Sequence, residues 1–248
     1  MKFICFLKNL SISIVLTLSA CGGGGGGGGA SIPTTVNASG LWQGTASNGY
    51  SVYMVVMPNN TFYTIYGAPT PSGGLATYGY DIGFATTSGN NFSGTLTDYL
   101  YTGQVTSGSF TASVVPGKSI IGNSGNTFNL TPSPGFNFNT TADIASISGS
   151  WTGTFLNGVA SNISINNNGA LSGTSVNCNF SGTVTPNSYK VNVFDASLTF
   201  ISPSCGTTQG LTFTGIAIGF MNTLGKTQLI LSVNNPSNTI GALFVAIR

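Results

Sequence analysis

A seven-residue motif occurs twice in this chain: Ser39-Gly40-Leu41-Trp42-Gln43-Gly44-Thr45 and Ser148-Gly149-Ser150-Trp151-Thr152-Gly153-Thr154. Trp42 and Trp151 stand 109 residues apart, about the length of one small domain. A repeat of that period predicts two similar units in tandem rather than one large core. The boundaries read from it are 38–132 for the first unit and 146–248 for the second. Residues 133–145 form a linker, where Thr131-Pro132-Ser133-Pro134-Gly135 is followed by the polar stretch Asn137 to Thr141. Each tryptophan opens the first strand of its unit and is read as a core plug, since buried aromatics dominate small β cores.

Both units read as strands and turns. Val52 to Met57, the turn Pro58-Asn59-Asn60 and Phe62 to Tyr66 carry a hairpin signal: β-branched and aromatic runs flank Pro and Asn. Ser161 to Ile165, Asn166 to Gly169 and Ala170 to Thr174 repeat it. Lys190 to Phe200 alternates, and Leu211 to Phe220, Thr227 to Val233 and Ala242 to Ile247 supply further strands. No segment sustains a helical period, and 36 glycines punctuate the chain. A Ser-Gly-Thr strand also recurs, at Ser93-Gly94-Thr95 and Ser181-Gly182-Thr183. The fold class is therefore all-β, two tandem antiparallel units built as small barrels or sandwiches.

Residues 1–20 combine Lys2 and Lys8 with an apolar run through Ile12, Ile14, Val15 and Leu16, ending Leu18-Ser19-Ala20 before Cys21. That order marks a secretory signal peptide. The apolar run is shorter than the ~20 residues a transmembrane helix needs. Leu-Ser-Ala-Cys resembles the lipobox of bacterial lipoproteins. The resemblance implies that Cys21 is acylated and heads the mature chain, and that the protein meets the membrane through this lipid anchor. Lipoprotein sorting implies that Gly22, in place of an aspartate, directs the protein to the outer membrane, facing periplasm or surface. Gly22 to Gly29 is polyglycine, which brings no side chain to bury. Residues 21–37 thus form a tether, whose eight glycines span about 15 Å. Cysteine followed by polyglycine is similar to the tethers of transferrin-binding and factor-H-binding surface lipoproteins.

Charge is the second constraint. Asp, Glu, Lys and Arg make up 4% of the chain, against about 25% in an average globular protein. Without the signal peptide, Lys118, Lys190, Lys226 and Arg248 balance Asp81, Asp98, Asp143 and Asp195. A neutral chain offers no basic patch for nucleic acid. The absence of histidine removes the imidazole base and the commonest metal ligand. Paired-carboxylate catalysis needs two acids close together, and the four aspartates are far apart in sequence, although folding could still bring two of them together. The expectation is a non-enzymatic protein, with no catalytic residues, no cofactor and no metal.

Cys178 and Cys205 are the two cysteines that remain after Cys5 and Cys21. An even pair in an exported protein predicts a disulfide, and two thiols without histidine make a poor zinc site. Six tyrosines, Tyr63, Tyr66, Tyr78, Tyr80, Tyr99 and Tyr101, gather in the first unit. They read as strand filling, or as a recognition patch if several prove exposed on one face.

Gly-x-Trp at the start of a first strand resembles lipocalins and avidins, and Gly149 to Thr174 has an avidin-like rhythm. With only two tryptophans the aromatic box of a biotin site is absent, so the likeness is read as shared hairpin geometry. Cys178 to Pro186, Val193 to Phe200, Cys205 and Gly210 to Ala217 resemble an uncharacterised group of proteobacterial lipoproteins. The functional expectation is a lipid-anchored envelope or surface protein of binding type, its polar uncharged faces suited to protein or glycan partners. The alternatives are a structural envelope lipoprotein and a barrel carrying a small ligand, which would need an apolar cavity inside one unit.

Overall fold

The computed structural model describes residues 35–248. The segment expected to be a signal peptide, Cys21 and the polyglycine lie outside the described residues.

The chain forms two closed antiparallel barrels of eight strands, each a simple up-and-down meander. The first comprises β1 (Gly40–Ala46), β2 (Ser51–Val56), β3 (Thr61–Pro69), β4 (Leu75–Ser88), β5 (Asn91–Leu100), β6 (Val105–Val115), β7 (Ser119–Ser124) and β8 (Asn126–Pro132), with β8 pairing back onto β1. The second comprises β9 (Gly149–Phe155), β10 (Ala160–Ile165), β11 (Ala170–Ser175), β12 (Cys178–Pro186), β13 (Phe194–Phe200), β14 (Thr212–Met221), β15 (Thr227–Asn234) and β16 (Gly241–Ile247), closed by β16 on β9. Closure removes the exposed edges that an open sheet of such polar, glycine-rich strands would present.

The repeated motif sits at equivalent places. Trp42 and Trp151 are buried, and each donates its indole N–H to a carbonyl four residues upstream, on Ala38 and Ile147, at 2.8 Å. The segment before the first strand is thereby folded across one end of each barrel. In the second barrel it includes a short 3₁₀ turn, Ile144–Ser146, capped by Asp143. Arg248 closes this end from the last strand, with its guanidinium 3.8 Å from the Trp151 ring centre and a hydrogen bond to the Ser148 carbonyl. The motif's second glycine has its own role. A β-carbon at Gly44 or Gly153 would overlap the carbonyl oxygen of Asn129 or Val245 on the closing strand. Barrel closure depends on that close approach. The two Ser-Gly-Thr segments are not equivalent: they fall in the fifth strand of one barrel and the fourth of the other.

The barrels share a hydrophobic core that the sequence reading did not foresee. Inward residues such as Val52, Met54 and Phe62 fill the first barrel, and Phe180, Leu198 and Phe213 fill the second. A third cluster joins outward residues of both: Tyr53, Val55, Ile65, Tyr80 and Tyr99 against Ile216, Ile218, Phe220, Ile230 and Leu243. Tyr80 is fully buried and donates its hydroxyl to the Val233 carbonyl across the junction at 3.0 Å. Asn222 donates to the Ser72 carbonyl at 3.2 Å. Phe136 and Phe138, between the barrels in sequence, pack into the same cluster. Strands β14 to β16 are apolar on both faces for this reason. One face fills a barrel, and the other docks on its neighbour.

One strand is shorter than its alternation predicts. Lys190 takes a φ of +57° and β13 begins at Phe194. Val191 and Val193, with strand-like spacing, bury in the inter-barrel core instead of pairing. Here burial outside the sheet wins over local propensity.

Candidate functional site

The two barrels differ at the end away from the tryptophans. In the second, Phe155 at the end of β9 packs on Phe180 and Phe244, each with ring centres 5.6 Å away. Phe200 and Phe213 continue the aromatic filling. Cys178 and Cys205 form the expected disulfide, which ties the 3₁₀ segment Pro203–Thr208 to the start of β12 and packs against the same core.

In the first barrel the residue at the same distance from the repeat tryptophan is Ala46. Small side chains there leave a cavity of about 350 Å³, open at this end. Its floor is apolar, from Val52, Met54, Phe62, Leu96, Phe110 and Phe128. Polar groups line one wall. Thr64 and Tyr66 of β3, Asp81 of β4 and Asp98 of β5 all face the space. Cross-strand register puts Thr64 opposite Asp81, and Asp81 opposite Asp98.

The two carboxyl groups stand on directly paired positions of neighbouring strands, and both face the cavity. Tyr66 donates its hydroxyl to Asp98 Oδ1 at 2.7 Å. Burial raises Asp81 well above the ordinary carboxylate range, and the charge and hydrogen bond of Asp98 raise it further. Asp98 is raised too, by burial, against the lowering effect of hydrogen bonds from Tyr66 and Asp81. The two titrations are linked, since charge on either carboxyl disfavours charge on the other. Burial, the bond to Asp98 and the adjacent carboxylates push the Tyr66 phenol far above its usual value. Thr64 is buried, and its hydroxyl has no partner in the protein.

Tyrosines build the rim. At Tyr66 and Gly67 the β3–β4 register slips, and Tyr78 is the extra residue of the bulge. Bulges re-aim a side chain, and Tyr78 packs on Tyr50, Tyr66 and Tyr101 at centroid distances of 5.3, 6.2 and 4.9 Å. Tyr78 and Tyr101 are exposed. The six-tyrosine cluster thus splits. Tyr66, Tyr78 and Tyr101 join Tyr50 at the cavity mouth, while Tyr63, Tyr80 and Tyr99 pack between the barrels. Burial and the charge of Asp195 raise Tyr63 to about 12.

The aspartate pair was not read from the sequence, yet a signal for it exists. Ser88 pairs with Asn91 around the tight turn Gly89-Asn90. Counting outward from that turn brings Asp81 opposite Asp98.

Comparison with known proteins finds no matching family, no similar curated protein and no similar solved structure.

Proposed function

We propose that this chain is a lipid-anchored envelope protein whose first barrel carries a small amphipathic molecule and whose second barrel is a filled structural support. The observation that carries this reading is the depth of the first barrel's cavity, which reaches the inward residues Met54, Phe62, Leu96 and Phe110, whereas the hollow at the same end of the second barrel is lined by Phe155, Phe200 and the Cys178–Cys205 bond. A volume of about 350 Å³ lies within the ~300–1,000 Å³ range of small-molecule sites, and an apolar floor with a few converging polar groups is their usual lining. The lipobox motif and polyglycine support the anchor and an outer-membrane address. The outward faces of β10 to β12 carry Asn162, Ser164, Ser172, Thr174, Asn179 and Ser181, the reverse of a lipid-facing band.

The test uses the full-length chain carrying Cys21→Ser and the uncharged fluorescent probe phenylnaphthylamine. Saturable binding at one site is expected. Ala46→Phe should abolish it by giving the first barrel the ring that Phe155 supplies to the second. Absence of saturable binding, or unchanged binding in Ala46→Phe, overturns the carrier reading. Unmodified chain should fractionate with membranes and Cys21→Ser should not; equal retention overturns the anchor.

A further inference from the structure

We propose that the first barrel selects an organic cation, a primary or quaternary ammonium on a short apolar body, with its charge held at the Asp81–Asp98 pair beneath the tyrosine rim. The inference rests on the carrier reading and names the class of ligand.

Three independent observations converge. First, Asp81 and Asp98 are the only acids between residues 35 and 132, and both line the cavity. The one base of that segment, Lys118, sits in the β6–β7 turn at the closed end, away from the mouth. A chain this poor in charge gains nothing for stability from two carboxyls facing each other inside a barrel, since each disfavours ionisation of the other. A cation between them removes that repulsion.

Second, the Thr64 hydroxyl is buried and unpartnered at the register position facing Asp81. A buried hydroxyl without a partner is costly. The N–H of a primary ammonium can donate to it; beside a quaternary ammonium, which has no N–H, a water held in the cavity fills that role.

Third, Tyr50 and Tyr66 line the cavity, and Tyr78 and Tyr101 extend the ring cluster outward. Aromatic faces attract cations and repel carboxylates. No lysine or arginine lines the cavity to receive an anion. Below the pair, Met54, Phe62, Leu96 and Phe110 offer only apolar contact, which fits an alkyl or aryl body.

The experiment compares octyltrimethylammonium, octylammonium, octanol and octanoate, which share one tail, by calorimetry on the full-length Cys21→Ser chain. Both ammonium ligands should bind about tenfold or more tighter than octanol, and octanoate weakest. Asp81→Asn should remove the ammonium preference, so that within that variant the ammonium ligands bind no tighter than octanol; a preference that survives the substitution overturns the assignment of the charge to this pair. The groups facing the bound charge are Asp81 on β4, Asp98 on β5, Tyr66 on β3 and Tyr50 before β2; the adjacent cavity residues Thr106, Gly108 and Ser124 do not titrate. Affinity for octyltrimethylammonium, whose own charge is permanent, should therefore fall on acidification as the pair takes up its second proton. Equal binding of all four tails leaves the carrier reading standing and overturns cation selection. Failure of all four, with failure of phenylnaphthylamine, overturns both. Displacement of the ammonium ligands by millimolar calcium or magnesium, with either metal binding tightly alone, overturns the organic cation in favour of a metal ion.

Discussion

Asp81 shows at a single residue how a cavity-lining carboxyl is held against stability. Its carboxyl is taken out of bulk water and set beside Asp98, so its protonation equilibrium is raised in the folded state. A group raised on folding favours the fold most below its unfolded value, near 3.9, and loses that contribution as pH rises through the folded value. Asp81→Asn removes the penalty and keeps a side chain that can donate to Asp98. The variant should therefore melt above the parent at pH 8 and lose that advantage by pH 4. A gain of 1 kcal/mol corresponds to roughly 2–4 °C for a chain of this size. A melting difference independent of pH would show that the pair carries no ionisation strain. Gln228 is the second such residue. It is fully buried on the outward face of β15, with neither amide atom bonded. Gln228→Leu should stabilise by about 1–3 kcal/mol, the desolvation cost of unpaired polar groups, measured by denaturant midpoint at unchanged slope.

Strands carry the next level of constraint, because each residue must suit the face it occupies and the strand it touches. The Gly-x-Trp-x-Gly pattern is a closure device: tryptophan plugs one end while the second glycine lets the last strand approach. Gly44→Ala and Gly153→Ala should each destabilise by about 1–3 kcal/mol or more, the usual range for overpacking. Gly49→Ala serves as the control, since nothing lies near its added carbon, although its φ of +86° carries a smaller backbone cost. If all three cost the same, the close approach is not what the motif serves. The β3–β4 bulge works at this level as well. One extra residue converts Tyr78 from a strand position into part of the mouth.

Across the whole molecule, the shared core makes the two barrels one folding unit. Tyr80 and Tyr99 stack at 4.8 Å and reach into the second barrel. A β-carbon at Gly241 would collide with the Tyr80 hydroxyl. Calorimetry should show one transition for the parent and two for Gly241→Ala. Two transitions in the parent would mean that the junction does not couple the barrels. The disulfide closes a separation of 27 residues, for which chain entropy gives about 3.5 kcal/mol. In a coupled molecule Cys178→Ala should lower the single transition of the whole chain rather than melt the second barrel alone.

The sequence by itself determined what local chemistry can encode. Alternation and turn residues called for strands, the Trp42 and Trp151 motifs called for two units, and the expectation of export with two remaining cysteines called for the Cys178–Cys205 bond. Tertiary structure decided what depends on residues distant in the chain. How deep a barrel's cavity runs follows from the summed volume of all its inward side chains, in which Ala46 against Phe155 is one visible difference. The apolar outward faces of β14 to β16 read as ordinary buried strands, because a one-dimensional pattern records that a face is covered and not what covers it. Asp81 and Asp98 came to face one another only when the Gly89-Asn90 turn fixed their register and barrel closure turned both inward, where low polarity makes their interaction strong.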